Sequence, residues 1–222
     1  MSYDPVMAET PHLKPGDIMG TTHDDSLLST GIRWAQRQRG EGPSKWSHVG
    51  IIGNGGPVDE ATVIEAAGTR IREVRIVDAY PAEARVAFFR SVNIPLDDLA
   101  GVVEDARADI GRRYPFGQLI AHLIDEKMLG GRRVLRRFTS LTGLVVCSGF
   151  GGVKFAGRGY AFGKYDPRTL TPDDICDWIE SHPHHWQQIV PWSAVPVVER
   201  LAGPDLMLWS WAEQHYRKAV IR

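Results

Sequence analysis

Short β-type segments separated by turns fill the first half of this chain and constrain its fold more than any other feature. Residues 18–20, 46–52, 62–67, 70–77 and 85–90 are rich in apolar and β-branched side chains. A glycine-rich turn at residues 53–57 separates the second segment from the third. Strands this close in sequence pair most simply as antiparallel neighbours. The pattern therefore predicts an antiparallel meander.

Helical periodicity surrounds and follows these strands. The apolar spacing predicts helices over residues 26–38 and 116–124, a helix that opens at Thr171-Pro172, and a terminal helix over 204–221, with a last strand at 186–190. Residues 96–110 also predict a helix, with one buried face formed by Leu99, Val102, Val103, Ala106 and Ile110. We therefore expect an α+β fold, with one domain over residues 1–203 and a helical appendage over 204–222.

Composition excludes several function classes. The 222 residues carry 26 Lys and Arg against 27 Asp and Glu, so no global charge favours nucleic acid as a partner. The first residues lack the basic and apolar regions of a signal peptide, and no run approaches the about 18 apolar residues of a membrane span. These features predict a cytoplasmic protein. The two cysteines cannot form a disulfide framework.

Cys147 is the first candidate for chemistry. The apolar run 144–146 leads into it, and the segment Ser148-Gly149-Phe150-Gly151-Gly152 after it could begin a helix. Unpaired N–H groups and the macrodipole at a helix N-terminus favour the thiolate, which is the nucleophilic form of cysteine. The alternative is a small buried apolar side chain, a common fate of cysteine.

His48 and Glu65 are candidates for the base and its partner. Strand alternation puts His48 on one face with Trp46 and Gly50, and Val49 on the other. Glu65 lies between apolar neighbours in the next strand, where a buried carboxylate is unfavourable unless it is paired with a donor. Bonded to one imidazole nitrogen, it would orient the ring and leave the other nitrogen to accept the thiol proton. A structural histidine and an exposed edge-strand glutamate are the alternatives.

Other signals favour structural roles. His182, His184 and His185 lack the spaced cysteines or carboxylates of a metal site and predict a polar loop. Cys176 lies among apolar helix residues and predicts core packing, while Ser148 lacks the frame of a serine nucleophile. No metal or cofactor is expected.

Five segments, taken in order, carry a resemblance to a known family. They are Lys14-Pro15-Gly16-Asp17-Ile18, Gly31-Ile32-Arg33-Trp34-Ala35, Ser47-His48-Val49-Gly50-Ile51, Val63-Ile64-Glu65-Ala66 and Val146-Cys147-Ser148. This set resembles the circularly permuted branch of the NlpC-type, papain-like cysteine hydrolases, in which the histidine precedes the cysteine. The resemblance implies a small antiparallel sheet with the nucleophile helix packed against it. It also implies Cys147 as nucleophile, His48 as general base and Glu65 as the orienting residue.

The resemblance leaves three functions open. The first is a thiol hydrolase that cleaves an amide bond, with a peptide or cell-wall fragment as substrate. The second is a lipid esterase or acyltransferase, because lecithin retinol acyltransferase-like proteins share the permuted order. Lipid contact would then involve Trp209 and Trp211 or a basic cluster formed by Arg132, Arg133, Arg136 and Arg137. The third is a structural or binding module, for instance in a phage or secretion assembly, that retains only the fold.

Overall fold

An antiparallel sheet with its longer helices on one face forms the described part of the protein. The computed structural model describes residues 11–23, 29–30, 32–33, 44–67, 70–80, 84–113 and 147–190. The two short strands β1 (His12–Leu13) and β4 (Gly56–Pro57) pair with each other. The main sheet contains β2 (Ile18–His23), β3 (His48–Ile52), β5 (Thr62–Ala67), β6 (Arg70–Arg75), β7 (Ala84–Ser91) and β8 (Trp186–Val190).

The strand order of the main sheet is β6-β5-β3-β2-β7-β8, and every neighbouring pair is antiparallel. The predicted antiparallel sheet is therefore confirmed. A simple meander is wrong, because β7 does not pair with β6 but returns to β2, with Ile18 opposite Phe89. The strand predicted over residues 70–77 also ends earlier, at Arg75, where the short helix α1 (Ile76–Ala79) begins.

Three longer helices follow: α2 (Leu96–Arg107), α3 (Cys147–Ala156) and α4 (Pro172–Ser181), with a 3₁₀ turn at Pro167–Thr169. As predicted, α4 opens with proline in its first turn. Thr171 caps it, because the Thr171 hydroxyl accepts from the Asp174 N–H while the Asp174 carboxylate accepts from the Thr171 N–H. In the predicted helix over 26–38, the described residues Ser29, Thr30, Ile32 and Arg33 are helical.

Each face of the main sheet has its own core. On the helical face, Val49, Ile51 and Ile64 pack with side chains of α2, α3 and α4. On the second face, Met19, Ile52 and Val63 pack with Ile76 of α1, Tyr80 and neighbouring apolar residues. Since successive strand residues point to opposite faces, the two clusters fix which way every side chain of β3 and β5 points.

The burial of α2 follows its sequence pattern, with one exception. Leu99, Val102, Val103 and Ala106 are buried against the sheet, as the spacing predicts. Ile110 is 45% exposed, so its predicted place on the buried face is wrong. The helix ends at Arg107, and the turn that follows carries Ile110 away from the sheet.

An ion pair between Arg90 and the buried carboxylate of Asp17 explains the Lys14-Pro15-Gly16-Asp17 motif before β2. Asp17 is 1% exposed, and both its oxygens accept from Arg90 of β7, at 3.0 and 2.7 Å. The Lys14 N–H donates to the same carboxylate at 2.7 Å, and Gly16 provides the positive φ of +84° that the turn needs. The motif therefore fixes the start of β2 against β7.

The second face is packed closely at Gly50, which suggests a test of the fold. A methyl group at Gly50 would lie 2.3 Å from Cγ2 of Val63, while its other neighbours are at 3.5 Å. We expect Gly50→Ala to destabilise the protein by about 1–3 kcal/mol through overpacking, and Val63→Ala by about 2 kcal/mol through the cavity. Because Val63→Ala removes the clashing atom, the double variant should be more stable than the sum of the single effects by at least about 1 kcal/mol in urea unfolding. Additive effects would contradict the packing of this face.

Candidate functional site

His48 is the first residue of β3, and its imidazole lies beside Glu65 of β5. The distance from His48 Nε2 to Glu65 Oε2 is 2.7 Å. The register of the two strands brings them together: counting back from the pair Ile51 and Ile64, Glu65 lies diagonally across from His48 on the second face. Both predicted residues therefore meet as the sequence reasoning required.

The prediction that Trp46 shares a face with His48 is wrong. Trp46 is buried in the helical-face core with Val49, and His48 points to the second face with Gly50. Strand alternation does not extend to Trp46 because β3 begins only at His48. The hydroxyl of Ser44 instead bridges the N–H and carbonyl of Trp46, at 3.0 and 3.2 Å.

Glu65 has further partners in Arg72 and Tyr80. Arg72 lies directly opposite Glu65 in the β5–β6 ladder, and its Nε and Nη2 donate to Oε1 at 2.9 and 2.7 Å. The Tyr80 hydroxyl donates to Oε2, the oxygen that also contacts His48. Each carboxylate oxygen therefore contacts two donor groups, which fills the acceptor capacity of the carboxylate.

These partners keep the buried carboxylate ionised. Burial alone raises the pKa of Glu65, whose side chain is fully inaccessible to solvent. The hydrogen bond and charge of His48 oppose this effect, followed by the Tyr80 hydrogen bond and the Arg72 charge, and the resulting pKa is about 2. Glu65 is thus an anion at neutral pH and can only accept hydrogen bonds.

The ionised carboxylate determines which nitrogen of His48 carries a proton. Because Glu65 only accepts, Nε2 of His48 must be the donor of their hydrogen bond. In the neutral ring Nδ1 is then the basic nitrogen. The imidazole is about one-fifth exposed, with 19% of its side-chain surface accessible. The hydrogen bond to Glu65 thus fixes both the orientation and the tautomer of the neutral His48 ring.

Cys147 is the first residue of α3, which packs on the helical face against β3 and β5. The ladder between these strands joins Ile51 to Ile64 and Ile52 to Val63, whereas β5 pairs with β6 as far as Ala67. His48 and Glu65 therefore lie beyond the end of the β3–β5 ladder. The helix α3 itself packs on the face of the sheet opposite to the one toward which His48 points.

The glycines of α3 allow close packing against the segment that includes the 3₁₀ turn. A methyl group at Gly149 would lie 2.7 Å from the carbonyl oxygen of Arg168, and one at Gly152 would lie 2.8 Å from that of Pro167. Ser148 is buried and donates to the Leu170 carbonyl at 2.6 Å. The glycines after Cys147 thus let α3 pack directly against the backbone of Pro167 and Arg168, and Ser148 has a structural role.

The sequence patterns did not predict that Arg72 and Tyr80 contact Glu65. Of the two contacts, only that of Arg72 could have been predicted from the sequence. Two residues separate Ala67 from Arg70, and pairing outward from that short connection puts Arg72 opposite Glu65. Tyr80 could not be placed this way, because α1 interrupts the segment that the sequence pattern predicts to be extended.

Cys176 is a core residue, as predicted. It is fully buried in α4, and its sulfur packs close to Gly20 of β2, where a methyl group would lie 2.9 Å away. Burial and the nearby carboxylates of Glu180, Asp173 and Asp177 raise the pKa of its thiol well above the ordinary value. This thiol is therefore held in its unreactive, protonated form.

Two of the three histidines after α4, His182 and His185, contact neighbouring side chains. The His182 ring stacks on Trp178 with centroids 3.7 Å apart, and Nδ1 of His185 lies 2.6 Å from the Asn93 amide nitrogen. Within the described ranges, no three His, Cys, Asp or Glu side chains come together as metal ligands would.

Several predictions fall on parts of the chain outside the described residues. They are the helices over 116–124 and 204–221, the boundary at 203/204, the basic cluster Arg132, Arg133, Arg136 and Arg137, and the residues Trp209 and Trp211. Among the helices that are described, none has the length and apolar character needed to cross a membrane.

Comparison with known proteins finds no family for this chain and a weakly similar solved structure. No family model matches it, and no curated protein matches it significantly. Among solved structures it is similar to the crystal structure of the metalloprotein YiiX from Escherichia coli O157:H7, DUF1105. The TM-score is 0.43 with 16% sequence identity, over 82% of this chain and 99% of that one. A likeness of this degree says nothing about what this chain does.

The ionisation of Glu65 predicts how stability depends on pH. A folded-state pKa of about 2 against an ordinary 4.5 gives stability that is present above pH 4.5 and is lost as pH falls toward 2. We expect the difference in unfolding free energy between wild type and Glu65→Gln to shrink over this range, by on the order of 3 kcal/mol in total. Urea unfolding at successive pH values from 7 to 3 measures most of this change.

Glu60→Gln provides the control for removal of a negative charge, because Glu60 is exposed in the turn before β5. Its effect should stay small at every pH. A difference between wild type and Glu65→Gln that does not vary between pH 7 and pH 3 would show that Glu65 is not held as a buried anion.

Proposed function

We propose that this protein is a thiol hydrolase that cleaves an amide bond, with Cys147 as nucleophile, His48 as general base and Glu65 as the residue that orients His48. The observation that carries the proposal is the hydrogen bond of 2.7 Å between His48 Nε2 and the buried, ionised Glu65. Burial of a carboxylate is unfavourable, and an ionised carboxylate that is buried beside a histidine is typical of sites of acid–base chemistry. The fold that accompanies this proposal is the permuted papain-like arrangement.

Two further features support Cys147 as the nucleophile. It is the first residue of the ten-residue helix α3, where the helix dipole lowers a thiol pKa. The second cysteine, Cys176, is fully buried and its raised pKa disfavours the thiolate. Chemistry at a cysteine of this chain therefore belongs to Cys147.

The proposed reaction proceeds in two steps. In the first, the His48 Nδ1 takes the Cys147 proton, and the thiolate sulfur bonds to the carbonyl carbon. The resulting imidazolium returns that proton to the leaving amine as the C–N bond breaks, which leaves a thioester. In the second, water attacks the thioester while His48 accepts its proton. The C–S bond breaks, the acid product leaves, and the proton returns to the thiolate.

The reactivity of the two thiols tests the catalytic role of Cys147. We expect iodoacetamide to label Cys147 at pH 6.5 at least about ten times faster than an unperturbed thiol, because more of it is thiolate. Cys176 should remain unlabelled in the folded protein and so reports any unfolding. His48→Ala should suppress the fast labelling, whereas His184→Ala, which removes an exposed histidine, should not. Slow labelling of Cys147 at the rate of a free thiol would contradict the proposal.

Product release tests the substrate class. The resemblance to NlpC-type hydrolases favours a peptide of the cell wall, whose amide bonds suit the chemistry above. Wild type and Cys147→Ala are incubated separately with peptidoglycan fragments and with phospholipid vesicles. We expect new amine termini from the fragments with wild type only. Fatty-acid release from the vesicles by wild type alone would assign the site to lipid, and release from neither substrate, with slow thiol labelling, would favour a binding module.

A further inference from the structure

Arg72 and Tyr80 surround the carboxylate of Glu65 on the sides that His48 leaves open. We propose that these two side chains are positioning residues for His48, which hold the carboxylate in the one orientation that directs Oε2 at the imidazole Nε2. The inference rests on the proposed function for its catalytic consequence, but the orientation of the ring can be measured without any substrate.

The side chain of Glu65 does not fix this orientation by itself. Rotation about the terminal bond of a glutamate is broad and has no sharp staggered wells, so hydrogen-bond donors decide where the two oxygens lie. Arg72 supplies two donors to Oε1, at 2.9 and 2.7 Å. Turning the carboxylate would break both, and would leave a buried anion with unsatisfied oxygens.

Tyr80 acts on the other oxygen. Its hydroxyl donates to Oε2, and its ring lies 6.4 Å from the His48 ring, tilted by 33°. Tyr80 is 5% exposed and is held in the second-face core, so its hydroxyl has a fixed position. Two donors from different elements, Tyr80 and His48, thus meet at one oxygen, and the first limits where the second can lie.

Burial differs between the two positioning residues. Arg72 exposes 50% of its side chain, whereas Tyr80 belongs to the core. Arg72→Gln should therefore leave the apolar core intact, although it removes two hydrogen bonds from the buried carboxylate. Tyr80→Phe keeps the ring and its packing and removes only the hydroxyl. Both substitutions therefore change the hydrogen bonds of Glu65 without removing an apolar side chain from the core.

Arg70 offers a matched control. It lies on the same face of the same strand as Arg72, but its Nη1 donates to the Gly111 carbonyl at 3.0 Å and not to Glu65. Arg70→Gln removes an equal charge from the same region. Arg72→Lys is the conservative variant, because it keeps the charge and one donor but loses the two-pronged contact.

The experiment measures the His48 side chain by ¹⁵N NMR in full-length protein. In wild type we expect an Nε2-protonated ring whose Nε2 proton exchanges slowly with water. Tyr80→Phe and Arg72→Gln should each speed this exchange by about tenfold, as expected for the loss of hydrogen bonds to a charged acceptor. Arg72→Lys should lie between wild type and Arg72→Gln, and Arg70→Gln should match wild type.

A second readout links orientation to chemistry. In a Cys176→Ala background, the iodoacetamide rate of Cys147 should fall in Tyr80→Phe and Arg72→Gln in parallel with the faster proton exchange. Unchanged His48 exchange in both variants would overturn the positioning role, whatever the thiol does. Faster exchange, with a wild-type Cys147 rate no higher than that of a free thiol, would support the positioning role and reject the proposed function.

Discussion

The candidate site depends on the hydrogen bonds that hold the buried carboxylate of Glu65. This carboxylate lies inside the sheet without solvent contact, yet the hydrogen bonds and charges around it lower its pKa to about 2. An unpaired carboxylate at this depth would be protonated or would destabilise the fold. Its donors come from β3, from β6 and from Tyr80 just after α1, so three parts of the chain must be in place for it to remain an anion.

The way the sheet is built explains why His48 and the helix α3 lie on different faces. Strand alternation sends His48 to the second face, while Val49 packs with α3 on the helical face. The β3–β5 ladder stops at Ile51 and Ile64, short of His48. Close contact between the glycines of α3 and the backbone of Arg168 and Pro167 fixes where the helix lies. These contacts place His48 and the helix α3 on opposite faces of the sheet.

Local patterns in the sequence were sufficient for some parts of this arrangement. Turn spacing and strand parity placed His48 beside Glu65, and capping residues placed the start of α4. Contacts between distant residues were beyond such patterns. The return of β7 to β2 depends on pairs such as Ile18 with Phe89, and nothing local indicates that pairing. Tyr80 reaches Glu65 only because α1 turns the chain after Arg75, in a segment whose apolar pattern predicts a longer strand.

The most direct test of the central claim is a crystal structure of the unliganded protein at neutral pH, in which the distance from Cys147 Sγ to His48 Nδ1 is measured. We expect a separation within about 4 Å, the reach of a nucleophile and its base, with Nε2 still bonded to Glu65. A thiol buried on the helical face, or one separated from Nδ1 by another side chain, would contradict it.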